Sequence, residues 1–440
     1  MKPLLFLPLL GLLLSVNAAA ETVKGREGAV RGDKAKLEQD PRWNYNDLES
    51  GFSLAKLTGK PLLAVLRCVP CLSCAGIDAK VLEEKELAPL LDQFVCVRVI
   101  NANALDLSKF QFDYDPSFSA MMFRGDGTVY GRFGSWQHQR DPMDKTTAGF
   151  KKALEGALAL HQDYPANKKN LAGKQGGATP YQRPVEFPAL SAKYGSKLDW
   201  DGKVVQSCVH CHMVGDAFRA HYRSRKEPVP PEWIYPQPSI QVLGADLAND
   251  EPAKIETGDP GSPAAAAGLL AGDELISLNG QTLVSTADVS WALHRSPEAG
   301  GIPMTLRRSG MEMPITLSLP AGWRSRSDIS KRAGTWPMRA MAFGGMSMED
   351  LDDDERSRQD LPLESLALRI KHVGQYGPHA AAKKAGFLTG DLIVQIAQLK
   401  LRLTESALIG HLLQHHFPSE KLTTEVFRNG KRLSLLLPQQ

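Results

Sequence analysis

The chain has 440 residues, with an apolar fraction of 42% and a charged fraction of 23%. That length favours about three domains, and those fractions are ordinary for a globular protein, which excludes a collagen-like, coiled-coil or wholly disordered chain. Lys and Arg together number 52 and Asp and Glu 49, a formal net charge of +3. Spread over this length, such a charge gives no case for binding nucleic acid or for a polybasic membrane contact.

The N-terminal residues predict export. Met1-Lys2 gives a positive start, residues 4–16 are mostly apolar, and Asn17 to Ala20 are small. This pattern predicts a signal peptide over 1–20, with an uncleaved anchor as the alternative, followed by a flexible leader over 21–41. No later stretch approaches the ~18 apolar residues of a spanning helix. We therefore expect a periplasmic protein with no transmembrane segment after signal cleavage.

Residues 42–162 alternate between strand and helix patterns, which is typical of an α/β domain. Gly59 closes the first predicted helix, and Gly125-Asp126-Gly127 gives the turn of a hairpin. The predicted helices are 46–60, 74–91 and 150–161, and the predicted strands are 61–66, 94–100, 121–123 and 129–133.

The rest of the chain divides into a linker, a short segment and an internal repeat. Residues 163–190 are rich in Gly, Pro and polar residues, typical of a linker, and 191–238 form a small, mostly α segment with its own cysteines. Residues 239–320 and 337–440 then share an Ala-rich helix, a Gly-Asp turn and a strand, joined by a linker over 321–336. This shared order predicts two related domains of mixed, β-rich α+β structure.

The first cysteine motif is Cys68-Val-Pro-Cys71-Leu-Ser-Cys74, at a strand-to-helix junction. A helix N-terminus stabilises thiolate, so a cysteine there gains nucleophilicity, and a second cysteine one turn later can resolve a mixed disulfide. With Gly59-Lys60-Pro61 and the strand at 94–99, the motif resembles the thioredoxin superfamily over 42–162.

The thioredoxin resemblance implies a redox-active pair, Cys71–Cys74, and thiol–disulfide exchange with a redox partner protein. Ser119-Ala120 stands where that family has a cis-proline, and Cys68 is a third thiol in the loop. A site for Cu(I) or Zn(II) and a non-catalytic fold therefore stay open. Cys96 alternates with valines on a predicted strand, so we expect it in the core.

The second motif, Cys208-Val-His-Cys211-His212, is C-x-x-C-H, the attachment signature of c-type haem. It resembles cytochrome c over about 195–235. The resemblance implies one covalent haem c, with thioethers from Cys208 and Cys211 and His212 as an iron ligand. A redox or zinc-binding dithiol is the alternative, and His210 is expected to face solvent. The sequence does not assign the distal ligand; the candidates are His221, Met338, Met341, Met346 and Met348.

Residues 239–320 carry Leu243-Gly244-Ala245, followed by Gly272-Asp273 and Asn279-Gly280. They resemble the bacterial PDZ domains of periplasmic Do-type proteases. This resemblance implies that a C-terminal peptide adds as a strand, with its carboxylate captured at Leu243, Gly244 and Ala245. Residues 337–440 resemble a diverged second copy with a loop at 343–346, and a scaffold role stays open for both copies.

No protease centre accompanies these domains. The chain lacks Gly-x-Ser-x-Gly, and His411-Leu-Leu-Gln-His415 lacks the Glu of H-E-x-x-H. The sequence therefore favours a periplasmic thiol-redox and electron-transfer protein that recruits a protein partner. The alternative is a non-catalytic adaptor that holds metal or binds peptides.

Overall fold

The computed structural model describes residues 25–67, 69, 85–116, 118–134, 147–248 and 250–440. The predicted signal peptide lies outside the described residues, and so do Cys68, Cys71, Cys74 and most of the predicted helix at 74–91. Within the described ranges, none of the helices is both long enough and apolar enough to cross a membrane.

The first domain is built on a five-stranded sheet in the order β1-β3-β2-β4-β5. β1, β2 and β3 are parallel, and β4 and β5 continue the sheet as an antiparallel hairpin. The strands are β1 (Trp43–Tyr45), β2 (Leu62–Arg67), β3 (Val95–Val99), β4 (Phe118–Phe123) and β5 (Val129–Phe133). This arrangement confirms the predicted strands and the predicted hairpin.

Two helices pack on this sheet. The helix Leu48–Thr58 begins at Asp47, whose carboxylate accepts the N–H of Ser50, and it ends at Gly59 in the left-handed conformation. The helix Thr147–Gln162 buries Phe150, Ala153 and Leu154 in the core cluster that contains Cys96. Residues 85–91 form a 3₁₀ turn, Lys85–Leu87, and a short helix, Ala88–Leu91.

Where the sequence predicts a flexible leader, residues 25–37 form a helix docked on the first domain. Val30 is fully buried, and Asp33 pairs with Arg98 of β3 at 2.8 Å. Most of this helix faces water and Val30 is its buried apolar residue, so the sequence shows no apolar periodicity that would predict a helix here.

The predicted linker 163–190 is also ordered on the domain surface. Lys174 has no exposed surface, and the segment consists of short turns that each bury one residue. The elements between the first domain and the repeats are Lys168–Leu171, Ala172–Lys174, Pro184–Glu186, Pro188–Ser191, Val204–Ser207, Cys211–Ser224 and Pro231–Ile234.

The first repeat contains six strands and the second contains five. In the first they are β6 (Ala245–Leu247), β7 (Ile255–Gly258), β8 (Glu274–Leu278), β9 (Gln281–Thr282), β10 (Gly300–Arg308) and β11 (Met311–Leu319), with helices Ile240–Leu243, Pro263–Ala266, Thr286–His294 and Trp323–Arg326. In the second they are β12 (Met346–Asp350), β13 (Leu368–Val373), β14 (Leu392–Ile396), β15 (Lys421–Arg428) and β16 (Lys431–Pro438), with helices Thr335–Phe343, Asp353–Arg358, Gly377–Ala380, Ala381–Lys384 and Glu405–His415.

The same ion pair, between an arginine and a buried aspartate, occurs once in each repeat. In the first repeat, Arg308 donates to both carboxylate oxygens of Asp273 at 2.7 Å, and in the second Arg428 does the same with Asp391. Both aspartates are 1% exposed. The internal repeat predicted from the sequence is therefore present in three dimensions.

The first repeat is fastened to the first domain through the helix Thr286–His294. Asp288 accepts from Lys174 at 2.5 Å and from the N–H of Arg132 in β5 at 3.0 Å. Val284 packs into the core of the first domain, where a Cβ on Gly131 would overlap it. The linker at 321–336 is held as well, since Arg332 pairs with Asp113 and Asp115 of the first domain.

Candidate functional site

The C-x-x-C-H motif lies at the start of the helix Cys211–Ser224. Cys208 precedes the helix in extended conformation, is 1% exposed, and donates its thiol to the carbonyl of Val204 at 3.2 Å. Cys211 is half-buried against the large core cluster of the first domain. The motif is therefore packed on the thioredoxin-like sheet, which explains how so short a segment is kept ordered.

Asn103 fixes the backbone of this motif, a role that sequence reasoning missed. The side chain is fully buried and lies in the loop after β3. Its amide donates to the carbonyls of Gly195 at 2.7 Å and Ser207 at 2.8 Å, and its oxygen accepts the N–H of Val209 at 2.7 Å. An asparagine in a loop is common, so only the fold reveals that its side chain bonds the backbone on both sides of Cys208, at Ser207 and Val209.

The side chain of His212 is accessible to solvent and lies near a carboxylate. Its side chain is 42% exposed, and Nδ1 lies 3.7 Å from a carboxylate oxygen of Asp216 one turn along the helix. Arg219, which is 1% exposed, holds Asp216 at 2.6 Å. At 3.7 Å the contact between Asp216 and His212 is longer than a hydrogen bond, so Asp216 lies near the ring of His212 without bonding to it. His210 stacks on His212 with centroids 5.9 Å apart.

The second motif lies beside the point where the first begins. β2 ends at Arg67, and Val69 packs in one small cluster with Val204, whose carbonyl accepts the Cys208 thiol. Cys68, Cys71 and Cys74 themselves lie outside the described residues. The described neighbours nevertheless bring the C-x-x-C-H segment to the carboxyl end of β2, where the thioredoxin resemblance expects the reactive dithiol.

Cys96 lies in the core, as predicted. Its side chain is fully buried on β3, and burial raises the pKa of this thiol to about 12. Such a thiol is protonated at neutral pH and out of reach of a partner.

The candidates for a distal haem ligand lie elsewhere. His221 is nine residues after His212 on the same helix, about 13 Å along its axis, and its ring contacts Tyr181 at 5.6 Å. Met338, Met346 and Met348 pack in the core of the second repeat. The identity of a distal ligand therefore stays a prediction.

In the predicted peptide loop, the backbone N–H of Gly244 is bonded within the protein. Leu243 is fully buried in the core of the repeat, and Ala245 begins β6. The N–H of Gly244 donates to the carbonyl of Gln241 at 2.9 Å in this structure, and its role in holding a ligand carboxylate stays a prediction. Gly244 is required because its φ is +82° and because a Cβ would overlap Ser262.

The histidines near the C-terminus form a surface cluster. His411 and His415 stack with centroids 4.3 Å apart on the helix Glu405–His415. Across the residues that the structure describes, no group of three or more His, Cys, Asp or Glu is placed to hold a metal ion.

Two segments of the chain match known protein families. Residues 43–125 match the model described as thioredoxin-like, and residues 254–308 match the model of the PDZ domain. The chain therefore carries a thioredoxin-like domain and a PDZ domain, as the motifs predicted.

The chain is also similar to curated proteases over part of its length. A probable periplasmic serine endoprotease, DegP-like, of Halomonas elongata is 29% identical over 181 residues, covering 40% of this chain and 36% of the relative. A protein of the same description from Pseudomonas savastanoi is 28% identical, covering 36% and 33%. The chain thus spans about a third of the length of these relatives.

Solved structures of the same kind overlap with small portions of the fold. The serine endoprotease of Yersinia pestis is 25% identical, with 16% of this chain and 25% of that chain covered and a TM-score of 0.15. The HtrA3 PDZ domain bound to a phage-derived ligand is 17% identical, with 22% and 84% covered and a TM-score of 0.18.

Proposed function

We propose that this chain is a periplasmic thiol-redox and electron-transfer protein that recruits its protein partner through a PDZ domain. The observation that carries the proposal is the packing of the C-x-x-C-H motif beside the end of β2, through Val69 and Val204. The predicted dithiol, Cys71–Cys74, follows directly in sequence. A haem held at this motif would lie near the carboxyl end of β2, so a dithiol located there would exchange electrons with it without a large rearrangement.

The residues of the second motif fit a covalent c-type haem. Two thiols and an imidazole stand at the spacing that the attachment signature requires, and the side chain of His212, at 42% exposure, could serve as an iron ligand. Cys208 and Cys211 would hold the group, and when bound it would supply one-electron transfer. Asn103 would keep Cys208 in place by fixing the backbone on either side of it.

The dithiol would carry out two-electron chemistry on the partner. A Cys71 thiolate would attack a partner disulfide and release one partner sulfur as thiolate, and Cys74 would then displace the second to leave a Cys71–Cys74 disulfide. Returning this disulfide to the dithiol takes two electrons and two protons, so it requires an external redox partner protein as the electron donor, whether the electrons arrive as a pair or in two one-electron steps.

The PDZ domain is fixed relative to the redox domain, which supports a recruiting role. The buried pair Lys174–Asp288 has side-chain exposures of 1% and 2% and joins the segment after the first domain to the PDZ helix. Trp291 adds a hydrogen bond to the carbonyl of Gly173 at 3.0 Å. A peptide held by this domain would therefore sit at a defined place relative to the thioredoxin-like sheet. The repeat at 337–440, proposed as a second PDZ domain, is joined to the helix Cys211–Ser224 by the hydrogen bonds from Arg223 to the carbonyl of Gln440.

The test is covalent haem in protein purified from the periplasm. We expect a reduced α-band that survives acid–acetone extraction, and we expect Cys208→Ala and Cys211→Ala each to remove or reduce it. The matched control is Cys96→Ala, which removes a buried cysteine distant from the motif and should retain haem. A wild-type protein with no such band would refute the electron-transfer part and leave the adaptor function.

The thiol part has its own test. Limiting iodoacetamide at mildly acidic pH should label Cys71 before Cys68 and leave Cys96 unlabelled. Preferential labelling of Cys68 would move the active pair to Cys68–Cys71. Slow, equal labelling that a chelator accelerates would instead favour a metal site in the loop.

A further inference from the structure

The two repeats can be compared residue by residue because their hydrogen bonds coincide. The N–H of Ile255 donates to the backbone carbonyl of Asp273, and the N–H of Ile370 donates to that of Asp391. These are the aspartates of the ion pair that recurs in both repeats. In both repeats the strand after the glycine loop is bulged at its third residue, which is Leu247 in β6 and Met348 in β12. Leu247 and Met348 are therefore equivalent positions.

These strands are the edges to which a PDZ domain adds a peptide. Among the described residues, β6 pairs with β7 alone and β12 with β13 alone, so one edge of each strand has no strand partner, and that edge of β12 meets the helix Glu405–His415. A peptide that enters between strand and helix must hydrogen-bond to backbone groups on that edge. The groove thus accepts a ligand only where those backbone groups have no hydrogen-bond partner within the protein.

In the second repeat one of those groups is already taken. The N–H of Met348 donates to Glu405, the first residue of the helix Glu405–His415, at 2.8 Å. Arg339 holds the same carboxylate through two hydrogen bonds, at 2.9 and 2.5 Å. Glu405 is 4% exposed. The carboxylate thus bridges the strand and the helix where a peptide strand would have to pass.

The same helix is also covered from outside. Tyr235 donates to the carbonyl of Ser406 at 3.0 Å and lies so close to Gly410 that a Cβ there would overlap its hydroxyl. The N–H of Ile329 donates to the hydroxyl of Ser406 at 3.0 Å. Because the helix is held on both sides, it cannot move away from β12 without breaking these contacts.

Among the described residues of the first repeat, the bridge that Glu405 and Arg339 make has no counterpart. Counting from the equivalent helix start and the equivalent glycine, Thr286 stands at the position of Glu405 and Pro238 at that of Arg339. Neither residue carries a charge. The hydroxyl of Thr286 is also too short to repeat the bridge that Glu405 makes, because a threonine side chain ends two bonds earlier than a glutamate.

We infer that Glu405 closes the groove of the second repeat, so that the chain binds one peptide, a free and extended C-terminal segment, in the first repeat between β6 and the helix Thr286–His294. Residue 286 is then the position that decides whether a repeat accepts a ligand. This inference rests on the proposed recruitment of a partner by the PDZ domain, and it assigns that role to one repeat.

Hydrogen exchange on the full chain tests the inference directly. The probe is a panel of fluorescein-labelled decapeptides with free C-termini that end in Val, Leu, Ile, Phe or Ala. On adding a peptide that binds, we expect slower exchange in segment 245–248 and unchanged exchange in 346–350. Calorimetry should give one peptide per chain. Protection of 346–350, or two peptides per chain, would overturn the inference while leaving recruitment by PDZ domains intact.

A pair of variants supplies the matched control. Thr286→Glu should weaken peptide binding at least tenfold, whereas Thr286→Ala should stay within threefold of wild type. A glutamate in the first turn of a helix is favourable, so the variant should fold, which circular dichroism would verify. Equal binding by both variants would overturn the role of residue 286. Binding of no peptide by the wild type would refute the proposed recruitment together with this inference.

Discussion

The buried ion pair between Lys174 and Asp288 gives the sharpest test of how the PDZ domain is attached. Asp288 accepts three hydrogen bonds, from Lys174, from the N–H of Arg132 and from the N–H of Val284. Burial lowers the pKa of Lys174, although Asp288 opposes that effect. The variant Asp288→Asn keeps the shape but leaves the ammonium of Lys174 without a counter-charge.

Breaking a buried ion pair by removing one partner costs about 3–5 kcal/mol, because the other charge stays desolvated. At about 1.4 kcal/mol per tenfold, Asp288→Asn should speed amide exchange of the helix Thr286–His294 at least about a hundredfold. The double variant Lys174→Met/Asp288→Asn removes the stranded charge, and it should recover much of that loss.

The matched control is a second ion pair that also joins the first domain to the PDZ domain. Lys152 and Glu251 lie 2.7 Å apart with side-chain exposures of 39% and 33%. An exposed pair contributes about 0–1 kcal/mol, so Glu251→Gln should change the same exchange rates less than about fivefold. If Asp288→Asn alters exchange no more than Glu251→Gln does, the buried pair does not hold the domains together.

Three further predictions concern other buried groups. Asn103→Ala should destabilise the C-x-x-C-H segment by about 2–4 kcal/mol, because it leaves buried backbone groups unpaired, and faster exchange at 207–209 with unchanged exchange at 286–294 would be the measurement. Burial, with Arg324 and Arg295 nearby, lowers the pKa of His294 to about 3; protonation from about pH 6.5 downward therefore favours the unfolded chain, stability should fall between pH 6.5 and 4, and His294→Gln should flatten that dependence of the melting temperature. Cys96, whose pKa is raised to about 12 by burial, should resist alkylation until urea unfolds the first domain, and labelling in the native protein would contradict its placement.

The strands and helices of the first domain could be predicted from the sequence because their patterns are local. Asp47 and Gly59 mark the ends of one helix, and the apolar runs at 61–66 and 94–100 match β2 and β3 closely. The repeat was equally visible, since an Ala-rich helix, a Gly-Asp turn and a strand recur in the same order. These features depend on neighbours in the chain, which the sequence displays directly.

What the tertiary structure decided are the contacts between residues distant in sequence. Asn103 reaches Val209 across 106 positions, and Lys174 reaches Asp288 across 114. The order of the leader helix at 25–37 and of the segment 163–190 follows from such contacts, so composition alone suggested flexible chain there.

The candidate site shows the same division. The residue types and spacing of Cys208, Cys211 and His212 could be read from the chain, because the chemistry of thioether and imidazole ligands fixes them locally. Their position beside the end of β2, and the closure of the second groove by Glu405 over Met348, could not. A hydrogen bond between a helix and a strand 57 residues apart leaves no periodic trace in the sequence, because it depends only on how the two elements pack.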